Sequence, residues 1–148
     1  MKNLKYILSI LILATMTIVA GCKSDSSDPA PDALALQREL LMNEGKSWII
    51  GTEGIIKDGY DVSSQFQGFS LTIGQNTFTT VNSLASAWPE SGNWKFDEDN
   101  ENIILRSDRV IIMVAVTATT LRLTFTVGGE NGRFAGLEGE YEFNLVSQ

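Results

Sequence analysis

At Gly45 the apolar residues of this chain change their period from 3.6 to 2, and the stretches beyond that point are too short for helices. Eight segments follow that are rich in β-branched and aromatic residues: Trp48 to Lys57, Gly68 to Ile73, Thr77 to Asn82, Asn93 to Phe96, Ile103 to Arg106, Arg109 to Thr117, Leu121 to Val127 and Glu140 to Val146. Turn formers separate them at Asp58-Gly59, Gly74-Gln75-Asn76, Asp97 to Asn102, Ser107-Asp108, Thr117 to Thr120 and the glycine-rich Gly128 to Gly139. Most of these links are too short for a helical crossover, so neighbouring strands must pair antiparallel. An antiparallel run of eight strands loses its exposed edges only by closing on itself. The expected fold is therefore all-β, an eight-stranded antiparallel up-and-down barrel.

Alternation within the segments supports one wet and one dry face. Phe69, Leu71 and Ile73 share a side opposite Ser70 and Thr72, and Leu121, Leu123, Phe125 and Val127 alternate with Arg122, Thr124 and Thr126. Val110 to Val116 is apolar on both faces, which calls for a cover on its outer side. The available cover is a short helix at 32–44, where Ala33, Leu36 and Leu40 recur at helical spacing between an Asp32 N-cap and a Gly45 stop.

The residues before this helix have no share in a core. Cys22 to Pro31 is polar and proline-bearing, the composition of an unfolded tether. Residues 1–21 hold Lys2 and Lys5 ahead of an apolar run from Ile7 to Val19, the charged and apolar regions of an export signal. That run is shorter than the roughly 20 residues a membrane-crossing helix requires. Its end, Val19-Ala20-Gly21-Cys22, resembles the lipobox of bacterial lipoproteins, with the chain's one cysteine where the cleavage site should fall. The resemblance implies cleavage between Gly21 and Cys22, acylation of Cys22, and attachment to a membrane, the expected place being the periplasmic or surface face of the outer membrane. Several acyl chains on one residue give lasting attachment where a single chain does not.

The remaining domain, 32–148, has no thiol for a disulfide, so its stability must come from burial, for which ~120 residues suffice. The whole chain carries net charge −7, and loss of the signal, with two lysines and no acid, takes it to −9. Such a surface repels phosphate backbones and anionic lipid head groups, so nucleic acid is not an expected partner.

The domain resembles the lipocalin-like domains of small bacterial lipoproteins. The matching pieces are Gly45-Lys46-Ser47-Trp48, Asp58-Gly59-Tyr60-Asp61-Val62, Phe69-Ser70-Leu71-Thr72-Ile73 and Ala87-Trp88-Pro89-Glu90-Ser91-Gly92-Asn93-Trp94-Lys95-Phe96. True lipocalins keep one residue between the glycine and tryptophan of the first piece, whereas Lys46 and Ser47 both stand there. What the resemblance implies is a shape more than a function.

The chain has no histidine, and acylation would consume its thiol, which leaves nothing for nitrogen- or sulfur-built zinc sites, Cys–His pairs or Ser–His–Asp triads. No glycine-rich loop joins a strand to a helix, so no nucleotide cofactor is expected, and neither is any other cofactor or metal. An enzyme built here would need two inward carboxylates from Glu53, Glu140 and Glu142. The Asp97 to Asn102 run offers oxygens for calcium but lacks the glycine of a calcium loop, and a charged turn is the simpler reading. The expectation is a protein that is not an enzyme.

Trp48, Trp88, Trp94, Tyr60 and Phe66 are the candidate ligand-binding residues. Aromatic side chains of this number either line a pocket for a small apolar or aromatic ligand or fill the barrel, which at eight strands is barely wide enough for one ligand. Trp88 lies in a connection beside Pro89, where an aromatic is expected at the mouth. Tyr60 to Gln67 is a candidate lid, and Gly128 to Gly139, with Arg133, Phe134 and Leu137, a candidate contact loop. Two functions remain open: a tethered barrel that binds a small apolar ligand, and a solid barrel that contacts an envelope protein through its loops.

Overall fold

A computed structural model describes residues 32–128 and 136–148. Helix α1 covers Ala33–Met42. It starts where the Asp32 carboxylate accepts the Leu34 N–H, and ends where Asn43, Glu44 and Gly45 all take positive φ, which no helix can continue. Nine strands follow: β1 Trp48–Lys57, β2 Tyr60–Asp61, β3 Ser70–Ile73, β4 Thr77–Val81, β5 Ser91–Phe96, β6 Ile103–Arg106, β7 Ile111–Val116, β8 Thr120–Val127 and β9 Gly139–Ser147. Each of β3 to β8 pairs antiparallel with the next, and β1 closes the ring by pairing with β3 at Trp48–Leu71 and with β9 at Trp48–Ser147. The result is the expected up-and-down barrel of eight strands, with β2 as a two-residue flap on β1.

The flap replaces the start of the lid expected over Tyr60 to Gln67. It exists because Asp58 and Gly59 turn with positive φ, the geometry that tight hairpins demand. β1 itself is broken midway. Ile50 faces Leu145 and Ile55 faces Phe143, so Gly51 to Gly54 stand opposite Asn144 alone. Such a bulge bends the strand. Gly54 holds φ +71° inside it, and a Cβ there would run into the Ser63 hydroxyl, which receives the Ile55 N–H at 2.8 Å.

Side chains alternate as the period of 2 demands. Ile112 and Val114 point inward from β7, Leu121, Leu123, Phe125 and Val127 from β8, and Tyr141, Phe143 and Leu145 from β9, all buried. One end of the barrel is closed by α1. The Trp48 indole donates to the Leu41 carbonyl at 2.9 Å, Arg38 reaches Gln75 and Asn76 in the β3–β4 turn, and its guanidinium lies 5.3 Å from the Trp94 ring and 5.1 Å from Phe96. This corrects the expectation that α1 would cover β7. The helix sits across the barrel mouth because its one fully buried residue, Leu41, joins the interior cluster, and Ile111 and Met113 on the outside of β7 stay 60% and 57% exposed.

The opposite end is closed by side chains from two connections. Phe66, in the 3₁₀ turn Ser63–Phe66, packs edge-on against Phe69 at 6.1 Å and Phe143 at 5.2 Å. Ala87 and Trp88, from the link between β4 and β5, are both buried.

Candidate functional site

The interior is the first place to look, because a barrel of eight strands can hold one small ligand. Of the five aromatic candidates, Trp48, Trp88, Trp94 and Phe66 are buried and Tyr60 is 77% exposed. The four buried rings belong to a single packed cluster that includes Phe78, Phe125, Tyr141 and Phe143. The space that Trp88 and Trp94 bound together with Ile73, Phe78, Ile104, Arg106, Ile112 and Leu123 is about 10 Å³. A drug-sized ligand needs roughly 300 Å³ or more. The aromatic side chains of this barrel take up its volume.

Trp88 departs most from the sequence reading. It is 2% exposed, with its ring 5.5 Å from Phe78, 5.3 Å from Phe125 and 5.8 Å from Phe143. A connection residue is expected at the mouth, but here the Ser83 to Ser91 link folds inward because β4 and β5 leave the far end of the lumen unfilled by their own residues: Phe78 and Trp94 are their buried large rings nearest that level. The latch is Arg106, 5% exposed at the end of β6. Its guanidinium lies 4.8 Å from the Trp88 ring and 5.7 Å from Phe125, donates to the Ala87 carbonyl at 3.3 Å, and grips Asp108 through two 2.8 Å hydrogen bonds. The fork matches the carboxylate, which is why arginine serves here and lysine would not. Burial alone would raise the Asp108 pKa, but the Arg106 hydrogen bonds and charge outweigh it and hold the carboxyl below its ordinary value. Trp88 Nε1 and the Ser83 hydroxyl are buried with no partner among the described residues.

The outer wall offers what the interior does not. Register sets Leu105 beside Ile111 and Ile103 beside Met113, all facing outward, with exposed Ala115 next along β7. An open groove of about 500 Å³ runs along one flank of Ile111, bounded by Asn93, Lys95, Leu105 and Arg109. A second of about 900 Å³ follows the other flank, past Met113, Thr124 and Thr126. A third, about 790 Å³, opens at the helix end of the barrel, where Gln37 of α1, the β1 bulge at Glu53 and outward Arg122 meet the inward side chains of Val114, Leu121 and Leu145. The sequence signal for this wall is the two-faced apolar run Val110 to Val116, whose outer side no element covers among the described residues.

None of the three candidate carboxylates is buried in the lumen. Glu53 and Glu140 are exposed, and Glu142, half-buried on the outward side of β9, accepts from Asn144 Nδ2 at 3.0 Å. In the Asp97 to Asn102 turn, Asp97 accepts the Asp99 N–H at 3.0 Å and Asn100 accepts the Asn102 N–H at 2.9 Å, so these oxygens organise the turn itself. Among the described residues no three acidic, cysteine or histidine side chains converge on a metal-sized space. Asp58 ties the β1–β2 turn to β9: the Glu140 N–H donates to it at 2.9 Å and Lys57 at 3.2 Å, and in that order they hold its carboxyl below the ordinary range. Tyr141 is pushed up by burial and then by the Asp58 charge, and its hydroxyl donates to the Leu137 carbonyl at 2.9 Å.

The candidate cleavage and lipidation residues Gly21 and Cys22, the tether, and Arg133 and Phe134 of the contact loop lie outside the described residues. No protein-family model matches the chain, and neither a curated protein nor a solved structure matches it.

Proposed function

We propose that this chain is a lipid-anchored, non-enzymatic interaction protein of the bacterial cell envelope, a solid barrel of lipocalin-like shape that binds through its outer wall. The observation that carries the reading is the pairing of a filled interior, about 10 Å³ between Trp88 and Trp94, with an apolar wall left exposed at Ile111 and Met113. A barrel that stores a ligand keeps volume inside; this one has little between Trp88 and Trp94 and leaves an apolar strip exposed on its outer wall. The anchor rests on Val19-Ala20-Gly21-Cys22 behind a charged and apolar leader, and placement on the outer membrane follows from the same resemblance. The absence of histidine from the sequence and the outward placement of Glu53, Glu140 and Glu142 support the lack of catalysis.

A second reading, a small apolar ligand inside the barrel, has one observation behind it. The unpartnered Trp88 Nε1 marks a side chain that pays a desolvation cost for its place, and a ligand that displaced it would relieve that cost. Intact-mass measurement under native and denaturing conditions separates the two. The proposal expects acyl chains on Cys22 and no further mass that leaves on unfolding. A non-covalent apolar mass bound to the native protein would instead establish the ligand-carrying barrel.

A further inference from the structure

We infer that the outer wall of β6 and β7 is the surface that lies against a phospholipid bilayer bearing anionic head groups. The inference rests on the lipid-anchored reading above and names the partner of its exposed wall. Four outward residues, Ile103, Leu105, Ile111 and Met113, sit as two cross-strand pairs on adjacent strands, where side chains on the same face touch. Soluble surfaces scatter such residues singly, and a contiguous group marks a docking face.

The charges around this strip bear on what docks: its acids are Asp108, already paired with Arg106, and Glu140 at the far side of the β8 groove, and its cations are three. Lys95 faces outward beside Leu105, Arg109 stands at the β6–β7 turn, and Arg122 is paired with Ala115 in the β7–β8 register. None of the three makes an ion pair among the described residues, whereas Lys46, Lys57 and Arg106 each do. Arg38 on α1 also makes none, so three of the four described cations without an ion pair flank this wall, in a chain whose net charge is −9 after loss of its signal. Each basic side chain near an anionic bilayer adds attraction, and the apolar residues between them enter the head-group boundary by about 5–10 Å. The acidic Asp97 to Asn102 turn stands at the other end of β6 from Arg109, so the Arg109 end goes deepest.

The tether permits the posture. The ten residues Cys22 to Pro31 reach at most about 33–36 Å, while β7, six residues long, spans about 20 Å. The barrel can lie on its side while its anchor stays in the bilayer, and it cannot leave the neighbourhood of the lipid. A surface held that close to head groups meets them far more often than any dissolved partner.

The test places a nitroxide on Met113→Cys, and on Thr79→Cys of β4 as an exposed reference off the β6–β7 wall, in the acylated mature protein reconstituted into phosphatidylcholine vesicles with and without phosphatidylglycerol. Collisions with oxygen and with a water-soluble nickel chelate report depth. With phosphatidylglycerol present, the label at 113 should favour oxygen and the label at 79 the chelate, and the difference should vanish at high salt or when Lys95, Arg109 and Arg122 are all changed to Gln. Equal chelate access at both positions in every vesicle would overturn the inference. So would shielding at 113 that needs added envelope protein, which assigns the wall to a protein partner. A chain that never acquires its anchor takes a second nitroxide at Cys22 and lacks acyl mass, which reports failure of the anchor separately; the same two labels then decide the docking on vesicles added to that unanchored chain.

Discussion

Replacing Trp88 is the sharpest probe of a filled barrel. The indole is 2% exposed and packs on Phe78, Phe125 and Phe143 with the Arg106 guanidinium over its face. Trp88→Ala removes those contacts and opens a cavity, a change that costs about 3–5 kcal/mol in a core. Loss of a partly desolvated cation–π contact adds about 1–2 kcal/mol. Against a total stability of about 5–15 kcal/mol this is a large fraction. Trp88→Phe behaves differently: a cavity of about 40 Å³ at ~24 cal/mol per Å³ costs about 1 kcal/mol. That change also deletes a buried N–H with no partner, and relief of about 1–3 kcal/mol offsets the loss. The expected order in urea unfolding followed by far-UV circular dichroism is therefore a large drop in midpoint for Ala and a change within about 1 kcal/mol for Phe. If Trp88→Ala costs less than about 1 kcal/mol, Trp88 is a mouth residue after all and the filled-barrel reasoning fails.

Asp108 makes the latch pH-dependent. Its carboxyl is held below its ordinary value of 3.8, so the native chain binds that proton more weakly than the unfolded chain does, and the stabilisation is full above that value and disappears as pH falls through the lower native one. Asp58 and Asp61 shift the same way, so acid unfolding of the wild type should begin below pH ~4, and Asp108→Asn should flatten that part of the profile; an unchanged profile would remove Asp108 from the account. Gly54→Ala forces a Cβ against Ser63 at φ +71° and should destabilise by about 1–3 kcal/mol in the same urea assay. Ile111→Asp, on the exposed wall, should leave the urea midpoint within about 0.5 kcal/mol of wild type while weakening vesicle contact, and a large stability loss would show that the wall is part of the core.

The strand periods, the turn residues and the Asp32 and Gly45 signals by themselves determined the all-β class, the helix and the order of strands, because alternation and capping are local properties that a sequence states directly. The unbroken short links determined the antiparallel meander for the same reason. What only the tertiary structure decided is which faces meet. The Gly51 to Gly54 bulge arises from pairing with β9, a partner far along the chain, and no local pattern announces it. Whether the aromatics line a space or fill it depends on the sum of side-chain volumes against the barrel's bore. Trp88 settles that sum from a connection that reads as surface. The helix chose the barrel mouth over β7 because Leu41 and Trp48 meet there, and that choice left Ile111 and Met113 in the open.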